Sequence, residues 1–294
     1  MGSVTLRAFA KINLSLRVKD ARPDGFHDVQ TVLQAISLFD RVAIAERRGP
    51  FKIRCDMRGV PLDRTNLVWK AAWLLWQAGG LPGEPRNCVI TLQKNIPLQA
   101  GLGGGSSDAA AALLGLRRVW KLQVTDHALT ALAAQLGSDV PYFFVGGTAL
   151  ALGRGEEVYA LDDLPPLWVV LVIPPFGVAT RDAYEWLDAK RFREPFSRDA
   201  PEKGSGSLFG GNDLEAPVIE RHPLIGAVKS RLVKSGARVA AMSGSGSTVF
   251  GVFDSQRAAR SAAHSLTRDG ARLLLARFRP RRRPLGLPVG PAID

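Results

Sequence analysis

The sequence predicts an α+β chain folded as two lobes, and three observations carry that expectation. Segments with period-2 alternation interleave with capped segments of helical period from residue 4 to residue 161. An acid- and proline-bearing break, "DDLPPL" (162–167), then interrupts the pattern. Beyond it the chain restarts and closes as β-turn-β-α-β over 238–278.

In chain order, "VTLRAFAKINLSLRV" (4–18) alternates, with Leu14, Leu16 and Val18 on one side, and reads as a strand. "DGFHDVQTVLQAISLFDRVAIAE" continues through a turn into further strand. "TNLVWKAAWLLWQAGG" (65–80) is a helix with Thr65 as N-cap and Gly79 at its end; Trp69, Trp73 and Trp76 share a face and pack the core. "NCVITLQKNIPL" (87–98) is a strand leading into a glycine-rich loop. The helix at 106–120 is capped by Ser106 or Ser107 and carries Asp108 in its first turn, where a carboxylate suits the macrodipole. "TDHALTALAAQLG" (125–137) is another capped helix. Residues 138–161 give a turn, a short strand, a Gly-Gly turn and a strand. After the break come a strand (168–174), the helix "RDAYEWLDAK", a Gly/Ser-rich loop (202–212), one helix over 216–235, a helix over 255–268 and the strand "ARLLLARF" (271–278).

At 294 residues the chain is comfortable for two domains, and 46% hydrophobic content supports a sizeable core. No apolar stretch is long enough to span a bilayer, and the N-terminus lacks the basic and apolar blocks of a signal peptide. Cys55 and Cys88 read as buried thiols, so a reducing cytoplasm is the expected compartment. A net charge of +12 raises either nucleic acid or a polyanionic small molecule as partner. Arg277, Arg279, Arg281, Arg282 and Arg283 crowd a proline-bearing end, however, which reads as a solvated basic tail rather than a nucleic-acid arm. Aromatics are not interleaved among the basic residues. Nucleic acid is therefore not the expected partner, and membrane is excluded.

The most informative stretch is "IPLQAGLGGGSSDAAAALLGL" (96–116). It is not a Walker A loop, because neither glycine cluster is followed by lysine, and the dinucleotide fingerprint fails at position 106. The chemistry still points to an anion. Glycines let successive amides converge on one concavity, and a following helix start adds free N–H donors and partial positive charge. Ser106 and Ser107 are placed to bond a phosphate oxygen or a magnesium ion.

Three separated stretches carry a family resemblance. "PLQAGLGGGSSDAAAAL" resembles the phosphate-binding motif of the GHMP kinase superfamily, "AKINLSLRV" (10–18) its N-terminal motif, and "MSGSGSTVFGVF" (242–253) its C-terminal glycine motif. Residues 8–40, "GSDVP" (137–141) and "GNDLE" (211–215) are similar to the branch of that superfamily acting on 4-diphosphocytidyl-2-C-methyl-D-erythritol. The resemblance implies a ribosomal-protein-S5-like N-terminal lobe (1–163), a ferredoxin-like C-terminal lobe (164–280), a basic tail (281–294) and an active site in the interlobe cleft. It implies ATP with Mg2+, phosphorylation of a tertiary hydroxyl in the non-mevalonate isoprenoid route, and a monomer or weak homodimer.

By the same resemblance, Asp139 is the catalytic aspartate, orienting or deprotonating the acceptor hydroxyl, and Lys11 its paired lysine. Taken alone, Asp139 reads rather as a turn-forming or capping residue, whereas an unpartnered inward lysine on a strand would be costly, and the pairing supports both functional readings. Pro97, Leu98, Gln99, Ala100, Gly101, Leu102, Gly103, Gly104, Gly105, Ser106 and Ser107 would hold the nucleotide. Asn13, Phe26, His27, Gly244, Ser245 and Gly246 would hold the substrate, with His27 on the cytosine edge and Phe26 stacked on its ring. The family pattern has tyrosine where this chain has Phe26; stacking survives, and a phenol contact does not. Phe176 is the candidate for a second aromatic on the base. Asn212 either serves the site or caps the next helix. No residue is assigned to a resident metal.

Overall fold

A computed structural model describes residues 2–193, 208–266 and 270–281. The last thirteen residues of the basic tail and residues 202–207 of the Gly/Ser-rich loop therefore lie outside the described residues.

The first sheet is built on two long antiparallel strands, β1 (Ser3–Ala21) and β2 (His27–Pro50). Then follow β3 (Lys52–Cys55), helix α1 (Leu67–Ala78), β4 (Arg86–Gln93), α2 (Gly104–Val119), α3 (Asp126–Leu136), the single turn α4 (Tyr142–Val145), β5 (Thr148–Leu152) and β6 (Glu157–Ala160). The second part comprises β7 (Trp168–Ile173), α5 (Thr180–Arg193), β8 (Gly211–Asn212), α6 (Glu215–Arg221), α7 (Pro223–Lys234), β9 (Val239–Met242), β10 (Val249–Phe253), α8 (Gln256–Ser265) and β11 (Arg272–Arg277). The class is α+β, as expected.

Two sheets result. One runs β3-β4-β2-β1-β8, with β5 on β2 and β6 on β5; the other is antiparallel in the order β11-β7-β10-β9. That second order, with helices inserted after its first and third strands in chain order, is the ferredoxin-like arrangement. Val4, Leu6 and Ala8 of β1 turn inward with Val42 and Ile44 of β2 to meet the alanine run of α2, where Ala109–Ala112 are all fully buried. Small side chains let this helix lie close on the sheet, so its first turn is held firmly at the sheet's end.

Between the lobes, Ala10, Ile12 and Leu14 of β1 pack with Val169, Leu171 and Phe250 of the second sheet. Two segments cross the division expected at 163/164. Strand β8 pairs in parallel with β1 through Ser15 and Leu16. Residues beyond β11 return to the first lobe: Phe278 bridges Ile36, Arg279 N donates to Ala35 O at 2.8 Å, and Arg281 N donates to Asp163 Oδ2 at 2.6 Å.

Several local expectations are corrected. Asn66, not Thr65, caps α1, accepting from Val68 N at 2.8 Å, while Thr65 Oγ1 bonds Asp63. Trp76 is buried and Trp69, half-buried, packs against the core, while Trp73 lies outside it, stacked on Trp69 with centroids 5.8 Å apart. Helix α2 starts two residues earlier than expected, with Gly103 at φ 70° as its cap, so neither serine is a cap and Asp108 falls past the first turn. The expected short strand after Pro141 is the helical turn α4. The expected helix over 216–235 is divided at His222, because Pro223 lacks the N–H needed to continue it.

Candidate active site

Register shifts at Phe9/Lys11 and Asn13/Ser15 bend β1 where it passes between the lobes. Lys11 and Asn13, two residues apart on a strand, share one face. Both line a cavity of about 860 Å3 between the sheets. Lys11 Nζ donates to Asn13 Oδ1 at 2.8 Å and lies 3.3 Å from Asp139 Oδ2. Asn13 Nδ2 in turn donates to Thr31 Oγ1 at 2.9 Å, and Thr31 Oγ1 to Ser15 O at 2.6 Å, which fixes the amide's orientation. Asp139 follows the C-cap Gly137 and precedes the α4 turn, so a short rigid corner presents it. Its side chain is 39% exposed against 4% for Lys11, which leaves the carboxylate facing the cavity with a buried cation behind it.

The glycine loop lies against this pair. Gly101 and Gly103 have φ of 72° and 70°, a region that disfavours side chains. A Cβ on Gly101 would fall 2.1 Å from Ser243 O, and one on Gly103 would fall 2.8 Å from Phe143 and 3.1 Å from the Lys11 side chain. The second glycine motif closes from the other lobe. Ser243 Oγ donates to Gly101 O at 2.9 Å and accepts from Asn13 N at 3.3 Å. Of the two tasks its sequence left open, Asn212 does not cap α6, whose N-cap is Leu214; it accepts from Leu214 N and holds the second glycine motif, donating to Met242 O and Gly244 O at 2.8 and 2.7 Å.

Of the expected site residues, Lys11, Asn13, Pro97 through Ser106, Asp139 and Gly244 through Gly246 line the cavity. Ser107 does not. It is fully buried beneath the loop, and its hydroxyl has no hydrogen-bond partner among the described residues. Phe26 and His27 stand just outside the wall, each against a residue that is part of it. The Arg154 guanidinium lies 5.2 Å from the Phe26 centroid, and Tyr184 of α5 lies 5.2 Å from the His27 ring. His27 Nε2 is 2.9 Å from Asp188 Oδ1, also on α5. Phe176 is not the aromatic facing this end; it stacks on His222 at 4.5 Å, outside the cavity wall.

Sequence reasoning passed over a second lysine. Lys94 also lines the cavity, held between Asp40 and Asp108, with Lys94 Nζ donating to Asp108 Oδ2 at 2.6 Å. All three side chains are nearly inaccessible. Burial pushes the Asp108 carboxyl up to about 7 despite the lysine, with Asp40 acting in the same direction. Burial also raises the Tyr184 phenol to about 12, and Asp139 adds to it. Tyr184 and Arg154 carried no local signal, since each belongs to an ordinary helix or turn and gains meaning only from what folds opposite.

An anion cradle at a helix start, with a Lys–Asp pair touching it in an interlobe cleft, defines a phosphotransferase of the GHMP type. The family models described as "GHMP kinases N terminal domain" and "GHMP kinases C terminal" match residues 66–147 and 195–272. The chain is 43% identical to the 4-diphosphocytidyl-2-C-methyl-D-erythritol kinase of Geobacter metallireducens over 91% of its length and 95% of that protein's. It is 42% identical to the same kinase of Pelotomaculum thermopropionicum, over 95% and 99%. A crystal structure of 4-(cytidine 5'-diphospho)-2C-methyl-D-erythritol kinase superposes with TM-score 0.76 at 35% identity, covering 94% of this chain and 99% of the other. Homoserine kinase from Cytophaga hutchinsonii, at 17% identity and TM-score 0.67, shares the fold. The chain belongs to the 4-diphosphocytidyl-2-C-methyl-D-erythritol kinase family of GHMP kinases.

Proposed function

We propose that this chain transfers a phosphoryl group from ATP to the 2-hydroxyl of 4-diphosphocytidyl-2-C-methyl-D-erythritol, in the non-mevalonate isoprenoid route. The observation that carries the reading is the Lys11–Asp139 contact of 3.3 Å immediately beside the glycine cradle. Phosphoryl transfer needs little covalent help from a protein; it needs positioning and charge neutralisation. Asp139 accepts the hydrogen bond of the acceptor hydroxyl and thereby aims its oxygen. Lys11, fixed by Asn13, sets a positive charge 3.3 Å from that carboxylate and offsets charge developing at the transferred group.

The cradle fits a polyphosphate: backbone at Gly101 and Gly103 occupies space that any side chain would fill, and the α2 start adds N–H donors. ATP, when bound there, supplies the transferable phosphoryl group. Ser106 and Asp139, oxygen-bearing groups of the same wall, are the residues that would hold Mg2+. At the other end, His27 would read the cytosine edge through its Nδ1 side, with Phe26 and Tyr184 as its aromatic neighbours. No described helix is long and apolar enough to cross a membrane, and the cytoplasm is the compartment this chemistry fits.

Purified protein should release ADP from ATP and magnesium only when the cytidylylated methylerythritol is supplied. A higher kcat/KM with homoserine or mevalonate would overturn the substrate and leave the kinase class standing.

A further inference from the structure

The cavity wall holds three cations, Lys11, Lys94 and Arg154. Two are consumed by the protein: Lys11 by Asp139 and Asn13, Lys94 by Asp40 and Asp108. Arg154 differs. Glu156 accepts from its backbone N at 2.7 Å and from its Nε at 3.2 Å, which pins the base of the guanidinium. Among the described residues nothing bonds Nη1 or Nη2. Asp24 is the further carboxylate whose charge Arg154 reaches.

The turn carrying Arg154 is itself anchored. Gly153 O accepts from Val29 N at 2.7 Å, two residues from His27, so Arg154 is registered to the strand that presents the base-reading edge. The guanidinium also lies over Phe26. Its place is thus beside Phe26 and the strand that presents His27, the end of the cavity proposed to hold cytidine, and its free face is a planar fork of N–H donors suited to paired phosphate oxygens.

We propose that Arg154 binds the diphosphate of the cytidylylated substrate and makes the enzyme select a nucleoside diphosphate group over an uncharged nucleoside, with Glu156 as the residue that positions it. This rests on the substrate reading above. Charge-assisted bonds of this kind are worth roughly a tenfold or greater change in affinity.

The test is calorimetric binding of CDP and of cytidine, with the cradle filled by a non-hydrolysable ATP analogue. Wild type should bind CDP at least about tenfold more tightly than cytidine. Arg154→Gln should bring the two affinities within about threefold while cytidine binding stays unchanged, and Arg154→Lys should fall between, since it restores charge without the fork. If Arg154→Gln folds poorly, an Arg154→Lys variant with an undiminished preference decides against the proposal. Intact CDP preference in Arg154→Gln overturns the role of Arg154 alone. A wild-type protein that binds neither compound overturns the substrate reading itself.

Discussion

Two lysines meet aspartates in the same cavity wall, and they do opposite things. Lys11 is buried while its partner Asp139 stays 39% exposed, so the pair presents a charged oxygen to whatever enters. Lys94 is sealed between Asp40 and Asp108, both almost fully inaccessible, so that cluster presents nothing and instead braces the floor under Gly104. Asp40 also accepts from the backbone N of Asn95 and Ile96 at 2.6 and 2.9 Å, which ties the entry of the glycine loop to β2. The lesson is that solvent access of the acid, and not the Lys–Asp contact, separates a reacting group from a scaffold.

Substitutions can break that contrast. The largest effect is expected from Lys94→Met, which leaves two buried carboxylates uncompensated and should cost about 3–5 kcal/mol in denaturant unfolding. An equal loss from Lys11→Met would erase the distinction. Asp139→Asn should lower kcat about a hundredfold, with nucleotide binding retained and the unfolding midpoint nearly unchanged; near-normal turnover would remove the proposed role. Lys11→Met should lower kcat by at least about tenfold, because Asp139 keeps its place but loses its counter-charge. The smallest effect is pH-dependent. The Asp108 carboxyl is raised from 3.8 to about 7, so the folded protein holds a proton there that the unfolded chain has released. Stability should therefore decline as pH rises from about 4 through 7, and Asp108→Asn should flatten that decline in a thermal-melt series.

The site was legible where chemistry is written in the backbone. Gly101 and Gly103 stand out because their φ and the close packing around them favour glycine, and a helix start directly after them marks an anion cradle without further context. Lys11 and Asn13 were legible as a strand face. Asp139 was reached only through the family resemblance, and Ser243 and Tyr184 were not reached as partners of Asn13 and His27, because all three lie far along the chain and nothing local distinguishes them from turn, hairpin or helix-surface residues. Ser107 shows the opposite limit. A serine beside a glycine loop reads as a ligand, yet the α2 start at Gly104 rotates it inward and leaves Ser106 to face the cavity. Strand β3 went unread, and the α4 turn was read as a strand, for a simpler reason: four residues are too few to establish a period.

The return of Phe278–Arg281 onto Ala35 and Asp163 sets a schedule for synthesis. On the ribosome, the sheet made from the opening residues must wait until residue 281 has emerged before its last tie arrives. Arg281 Nη2 supplies that tie, reaching Thr148 O and Leu161 O at 2.8 and 2.9 Å. Contacts of such sequence separation make for slow completion, so a nascent chain stalled before residue 278 would carry a recognisable first lobe whose seam is still open.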